Sequence, residues 1–206
     1  MAALFVVRVW LPDRPGALGA VASRIGAVRG DLVGIEILET GAGRAIDELV
    51  VSLPSADLVP LLIKEIREIE DVDVEDIREV DGDLPDARVA ALESAAELLA
   101  QPSNDAVCKA LVEHVVRDFE AEWAAVLRDG ALVATNGETP TPEWMTAFVA
   151  GSDGTGATAS GPDDIAWASL RGSGALVLGR DGRPFRARER RQLAALARII
   201  SWRLFS

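Results

Sequence analysis

The residues best suited to chemistry are Asp13, Gly16 and the backbone after them, in the stretch Leu11-Pro12-Asp13-Arg14-Pro15-Gly16-Ala17-Leu18. Upstream, Leu4 to Trp10 is apolar and β-branched on both parities, which suits a strand inside a sheet. Downstream, Leu18, Val21, Ile25 and Val28 recur at helical spacing. The loop therefore joins a strand to the start of a helix, and its Pro-Gly pair forces a tight, open backbone there. The first amides of a helix lack intrahelical partners and carry the positive end of its dipole, so a carboxylate or phosphate is readily held. Asp13 on the rim is an acceptor for an ammonium group. Together they describe recognition of a small zwitterion. The same residues also make an ordinary turn and cap, and taken alone they favour that plainer role.

The elements around this loop follow from periodicity. Gly30 stops the first helix, and Val33, Ile35 and Ile37 alternate along a second strand. Gly41-Ala42-Gly43 has the composition of a hairpin turn, and Ile46 to Leu53 supplies the return strand, with Leu49, Val51 and Leu53 on one parity. Ser55 is placed to cap a second helix whose Leu58, Leu62, Ile66 and Ile69 share a face, and Val72 and Val74 open a fourth strand. The order is β-α-β-β-α-β, that of ferredoxin-like domains.

This loop and element order resemble an ACT domain, the small amino-acid-binding regulatory module attached to many biosynthetic enzymes and regulators. The resemblance covers about residues 4 to 80. It rests on Asp13-Arg14-Pro15-Gly16-Ala17-Leu18, the helix after it, and Gly30-Asp31-Leu32-Val33-Gly34-Ile35 leading into a strand. It implies that two copies pair side by side, with ligand between the first loop of one and the start of the second strand of the other. Carried onto this chain, Leu11, Asp13, Arg14, Gly16, Ala17 and Leu18 form one wall and Asp31 and Leu32 the opposite wall. Some amino-acid-binding members have a polar residue where this chain has Leu11.

Composition sets the limits. The chain has 206 residues, 49% hydrophobic and 26% charged, with a formal net charge of -12 and one cysteine. That length suits two small α/β modules, and the charge argues against nucleic acid or anionic membrane as partners. A single cysteine gives no intramolecular disulfide and fits a reducing compartment. The start, Met1 to Val7, has no basic leader or cleavage site, so neither signal peptide nor membrane anchor is expected, and the expected location is the cytoplasm. Between Glu65 and Asp86 the acids crowd without the spacing of a calcium loop. A solvated helix face, edge strand and linker is expected instead.

The expected domains are 1–80, a linker at 81–87 and 88–206. In the second, Val89, Leu92, Ala96 and Leu99 predict the inward face of a helix starting at Asp86, and Val107, Cys108, Leu111, Val115 and Phe119 that of the next. Glu122 to Arg128 and Ala131 to Thr135 read as a hairpin turned by Asp129-Gly130, followed by a short helix through Trp144 and Phe148. Gly151 to Pro162 reads as a mobile Gly/Ser/Thr-rich loop, then two strands flank Arg171 to Gly174. A closing helix from about Ala187 places Leu193, Leu196, Ile200 and Leu204 together. Leu170 to Arg180, Pro184-Phe185, Glu189 and the last helix resemble the end of a GAF domain, which implies a central antiparallel sheet flanked by helices and a role in small-molecule sensing or partner contact.

Other chemistry finds little support. Cys108 and His114 lie six apart on one predicted helix, on different faces, so they suit neither a nucleophile-base pair nor a shared metal. Cys108 is expected in the core and His114 facing solvent or held by a neighbour. No G-x-S-x-G elbow, phosphate loop or dinucleotide fingerprint occurs. No catalytic residue, metal or cofactor is expected. The basic cluster Arg183, Arg186, Arg188, Arg190 and Arg191 is expected to pair internally, with the Glu65 to Asp86 stretch as one candidate. The expectation is an α+β, non-enzymatic regulatory homodimer: a ferredoxin-like ACT domain binding a small amino acid, then a GAF-like domain that meets a protein partner. The alternatives are a ligand-free scaffold and a sensor using the GAF-like pocket alone.

Overall fold

The computed structural model describes residues 3–80, 87–152 and 162–204. The chain divides into two units, Met1–Pro85 and Asp86–Ser206. In the first, β1 (Ala3–Pro12) runs down the sheet interior, which is why its residues are apolar on both parities. It lies between β3 (Arg44–Leu53) and β4 (Asp73–Val80), with β2 (Asp31–Gly41) outside β3, and every pair is antiparallel. Helices α1 (Ala17–Ala27) and α2 (Val59–Arg67) pack on one face, where Val21, Ile25, Leu62 and Ile66 meet Val7, Val9, Leu49 and Val51. This is the βαββαβ order expected.

One detail differs. Ser55 caps a 3-10 turn, Ala56–Leu58, accepting from the Asp57 amide at 3.4 Å, and α2 begins only after it. Pro60 sets that start, because proline has no N–H and belongs in a first helical turn. On the other face of the sheet the guanidinium of Arg8, buried, donates to Glu48 at 2.8 Å, and Arg78 also reaches Glu48 at 3.3 Å. Several acids of the Glu65 to Asp86 run are likewise ion-paired. Arg24 holds Glu65 at 2.9 Å, and Arg67 holds Asp73 at 3.1 Å.

The second unit has a four-stranded antiparallel sheet, in the order β6 (Ala131–Asn136), β5 (Trp123–Arg128), β8 (Gly174–Gly179), β7 (Ile165–Leu170). Helices α3 (Ala87–Leu99), α4 (Asn104–Asp118) and α6 (Ala187–Leu204) share one core with Ala124, Val126, Leu176 and Leu178. On the opposite side Met145 of α5 (Pro142–Ser152) packs with Ala125, Leu127 and Val177. Both faces of this sheet are thus covered. All but the last residue of the linker expected at 81–87, and most of the Gly/Ser/Thr-rich loop, 153–161, lie outside the described residues, and Ala87 is the first residue of α3. No helix among the described residues is long and apolar enough to cross a membrane.

Three expectations in this unit need correction. The inward face of α3 is Ser94 and Leu98, whereas Val89, Leu92 and Leu99 are exposed. The reason is polar: Ser94 donates from Oγ to Asp118 at 2.5 Å and accepts from Arg117 at 3.0 Å, which turns its side of α3 to α4. His114 is buried, not solvent-facing, and is held by neighbours on both nitrogens. Arg117 donates to Nδ1 at 2.7 Å, and Glu97 lies 3.3 Å from Nε2. The basic cluster does pair internally, but with partners from its own unit: Arg183 with Glu120, and Arg190 with the carbonyls of Phe185 and Asp163. Cys108 sits in the core as expected, where burial pushes its thiol up from the ordinary value.

Candidate functional site

The loop between β1 and α1 is held from below. The Asp13 amide donates to the Gly43 carbonyl at 2.9 Å, tying the loop to the β2–β3 hairpin, and Arg14 N–H closes onto the Pro12 carbonyl at 2.8 Å. Leu11 and Ala17 are buried in the core and Leu18 packs against it. Their side chains anchor the loop, leaving Asp13, Arg14 and Gly16 on its exposed rim. Gly16 stands at the N-terminus of α1 with φ +90°, a left-handed conformation that a side chain resists. No side chain caps this helix, and a Cβ built at Gly16 would have nothing within 4 Å. The arrangement is an uncapped helix start under open space with a carboxylate beside it.

Asp31 and Leu32 do not join this wall within one chain. They begin β2, opposite Ser52 and Val51, and Ser52 in turn lies opposite Leu4. The loop is at the other end of the sheet, next to Pro12 and Arg44. Along β1 the two ends are separated by roughly 25 Å at about 3.3 Å per residue.

Asp47 is a buried acid of this unit that the sequence pattern did not single out. Its cross-strand partners are Val9 on one side and Ile37 on the other, which puts it on the helix-covered face with Ala45 and Leu49. It is 3% exposed, and its Oδ1 has no hydrogen-bond partner. Burial holds its carboxyl above the ordinary aspartate range, and the negative charge of Asp13 adds to the effect. A signal was present in the sequence: Asp47 is the single acid on the parity of Ala45, Leu49, Val51 and Leu53.

The outer edge of the same sheet is β2, where Val33, Ile35 and Ile37 are 37%, 48% and 54% exposed. In the second unit a cavity of about 420 Å³ opens between β7 and α6, lined by Trp167, Ser169, Arg171, Arg198 and Trp202. The Arg171 guanidinium lies 3.6 Å from the centre of the Trp202 ring.

The first unit is thus a βαββαβ sheet whose first loop carries a rim aspartate and leads into a helix that no side chain caps. Residues 5–71 match the ACT domain family. No curated protein matches the chain. Among solved structures, the first unit is similar to the ACT domain from GTP pyrophosphokinase of Chlorobium tepidum, at 15% identity and TM-score 0.32, over 39% of this chain and 100% of that one. The GAF domain of an Acinetobacter phosphoenolpyruvate-protein phosphotransferase is similar at 12% identity and TM-score 0.43, over 59% of this chain and 94% of that one. A structure described as a glycine cleavage system transcriptional repressor is similar at 10% identity and TM-score 0.33, over 87% of this chain and 79% of that one. The stretch that matches the ACT domain family contains the loop, Asp47 and the open edge.

Proposed function

We propose that this protein is a non-enzymatic cytoplasmic regulator that binds a small amino acid at an interface between two ACT domains and passes the signal through its second unit to a protein partner. The observation that carries the reading is the position of β2. It is an edge strand with exposed apolar residues, and its two ends are level with the two halves of the site. An apolar edge strand is a template for pairing. Antiparallel pairing of two β2 edges about a two-fold axis sets the end of one β2, beside the Asp13 loop, next to the start of the other. Asp31 and Leu32 of the second copy then face Asp13 and Gly16, and the roughly 25 Å separation within one chain disappears. The ligand carboxylate meets the α1 amides and its ammonium meets Asp13.

Thermal unfolding against each of the twenty amino acids at millimolar concentration tests this. A ligand at a hundred times its dissociation constant adds about 2.7 kcal/mol, or roughly 5–10 °C for a chain of this size. Gly16→Val should abolish the shift, because its side chain occupies the space above the amides. A flat panel with an intact dimer would replace the sensor with a ligand-free scaffold. The cavity lined by Trp167, Arg171 and Trp202 favours one other reading, a ligand in the second unit. That ligand's response would be unchanged by Asp13→Ala or Gly16→Val.

A further inference from the structure

We infer that Asp47 is a second acidic group of the loop site and that, with Asp13, it restricts the ligand to one carrying a free ammonium group. The inference rests on the amino-acid reading above and narrows it.

The argument starts from what a buried carboxylate requires. Removing a carboxylate from water is costly unless a cation or several donors replace the lost hydration. Three other acids among the described residues meet that condition. Glu48 has Arg8 and Arg78, Glu189 has Arg180, and Asp118 has Arg117 and Ser94. Asp47 is as buried as any of them, yet Oδ1 accepts no hydrogen bond, and the charge that acts on it is the negative one of Asp13. Its neighbours along the strand, Ala45 and Leu49, and across it, Val9 and Ile37, are all apolar. The Asp47 carboxyl thus lies on the helix-covered face with one oxygen unpartnered, and the charge of Asp13 acts on it from the loop before a helix that no side chain caps.

A structural role gives no account of this. An apolar residue in the row of Ala45, Leu49 and Val51 would leave no orphaned oxygen, and a neutral one would leave no buried charge. A position that lowers stability in the free protein is expected where a ligand completes the arrangement. An ammonium group supplies the missing charge and three N–H donors, enough for Asp13, Asp47 and one further acceptor. Asp47 is not remote from the rim: its neighbour Ile37 on the edge strand is 54% exposed, so it lies one strand in from the open edge. With the ligand carboxylate on the α1 amides, this pair discriminates amino acids from hydroxy acids and N-acylated amino acids, which match the carboxylate end but carry no ammonium.

The test compares wild type, Asp47→Asn and Asp13→Asn by thermal unfolding, alone and with the amino acid that shifts the wild type most, its 2-hydroxy acid counterpart and its N-acetyl derivative. Asp47→Asn is expected to melt about 2–4 °C higher than wild type without ligand, and to bind the amino acid roughly 10- to 100-fold more weakly. The hydroxy acid and N-acetyl compound should be at least about tenfold weaker than the amino acid on wild type, and Asp47→Asn should narrow that gap, with Asp47→Ser giving the same readout if Asp47→Asn does not fold. If wild type responds but Asp47→Asn keeps the full response, or the hydroxy acid binds equally well, Asp47 has no part in binding while the amino-acid reading stands. If wild type answers no amino acid, both fall.

Discussion

Arg180 in the second unit and Asp47 in the first are both charged, both nearly inaccessible and differently treated. Arg180 is 4% exposed and spends its donors on the carbonyls of Phe119, Arg183 and Pro184 and on Glu189, at 2.6 to 2.9 Å, while its plane lies 4.0 Å from the Phe185 ring centre. Asp47 has an oxygen with no donor and a second acid for a neighbour. The same contrast runs through the sheets, one covered on both faces and the other with an exposed apolar edge. A buried charge that is fully satisfied builds structure, whereas one left short of partners costs stability in the free protein, and a bound ligand is inferred to supply what Asp47 lacks.

The largest effect that would test this contrast is on the satisfied side. Arg180→Met removes the guanidinium from Glu189, which keeps the Arg186 amide, and from three carbonyls, and should destabilise the second unit by about 3–5 kcal/mol, read from its urea midpoint. A loss under about 1 kcal/mol would mean that the network around Arg180 contributes little.

Next comes the unsatisfied side, where the sign reverses. A carboxyl whose folded-state value is raised binds more protons folded than unfolded, so its contribution to stability falls as pH rises from the ordinary aspartate range, near about 4, through the raised value. Below that window Asp47 is protonated in both states and costs little. Wild type and Asp47→Asn should therefore converge at low pH and separate as pH rises, with the variant more stable by about 1 kcal/mol at neutral pH. Melting curves across pH check this, and parallel curves would mean that Asp47 is compensated after all.

The smallest effect concerns α3. Leu92, 72% exposed, should tolerate Leu92→Gln within about 0.5 kcal/mol, whereas Leu98→Ala on the buried side should cost about 2–5 kcal/mol. Equal losses in chemical denaturation would return the inward face to the Val89 stripe.

That helix also shows where sequence reading succeeds and fails. The βαββαβ order, the second sheet and the faces of α4 and α6 were legible because each carries a strong apolar period, with Val107, Leu111 and Val115 on one and Leu193, Leu196 and Ile200 on the other. In α3 the apolar stripe points outward, because the packing decision is made by hydrogen bonds from Ser94 to residues about twenty positions away. Local periodicity carries no record of such partners. The turn at Asp13 and Gly16 into a helix start was legible for the opposite reason, since its geometry is written in consecutive residues. Asp47 was hidden among apolar neighbours because alternation was read for its hydrophobic members and not for its exception. The separation of Asp31 and Leu32 from the loop needed the sheet register, which fixes them at opposite ends of β1.

The most direct test of the shared site is complementation. Gly16→Val breaks the loop wall and Asp31→Lys the opposite one, so each homodimer lacks every intact site. Refolded together in equal amounts, they pair at random, and mixed dimers regain one intact site each, roughly a quarter of the wild-type number. Amino-acid binding measured by titration calorimetry should be absent from each variant alone and return in the mixture at about that stoichiometry. Binding retained by Asp31→Lys alone, or a mixture as silent as its parts, would contradict a site built from two copies.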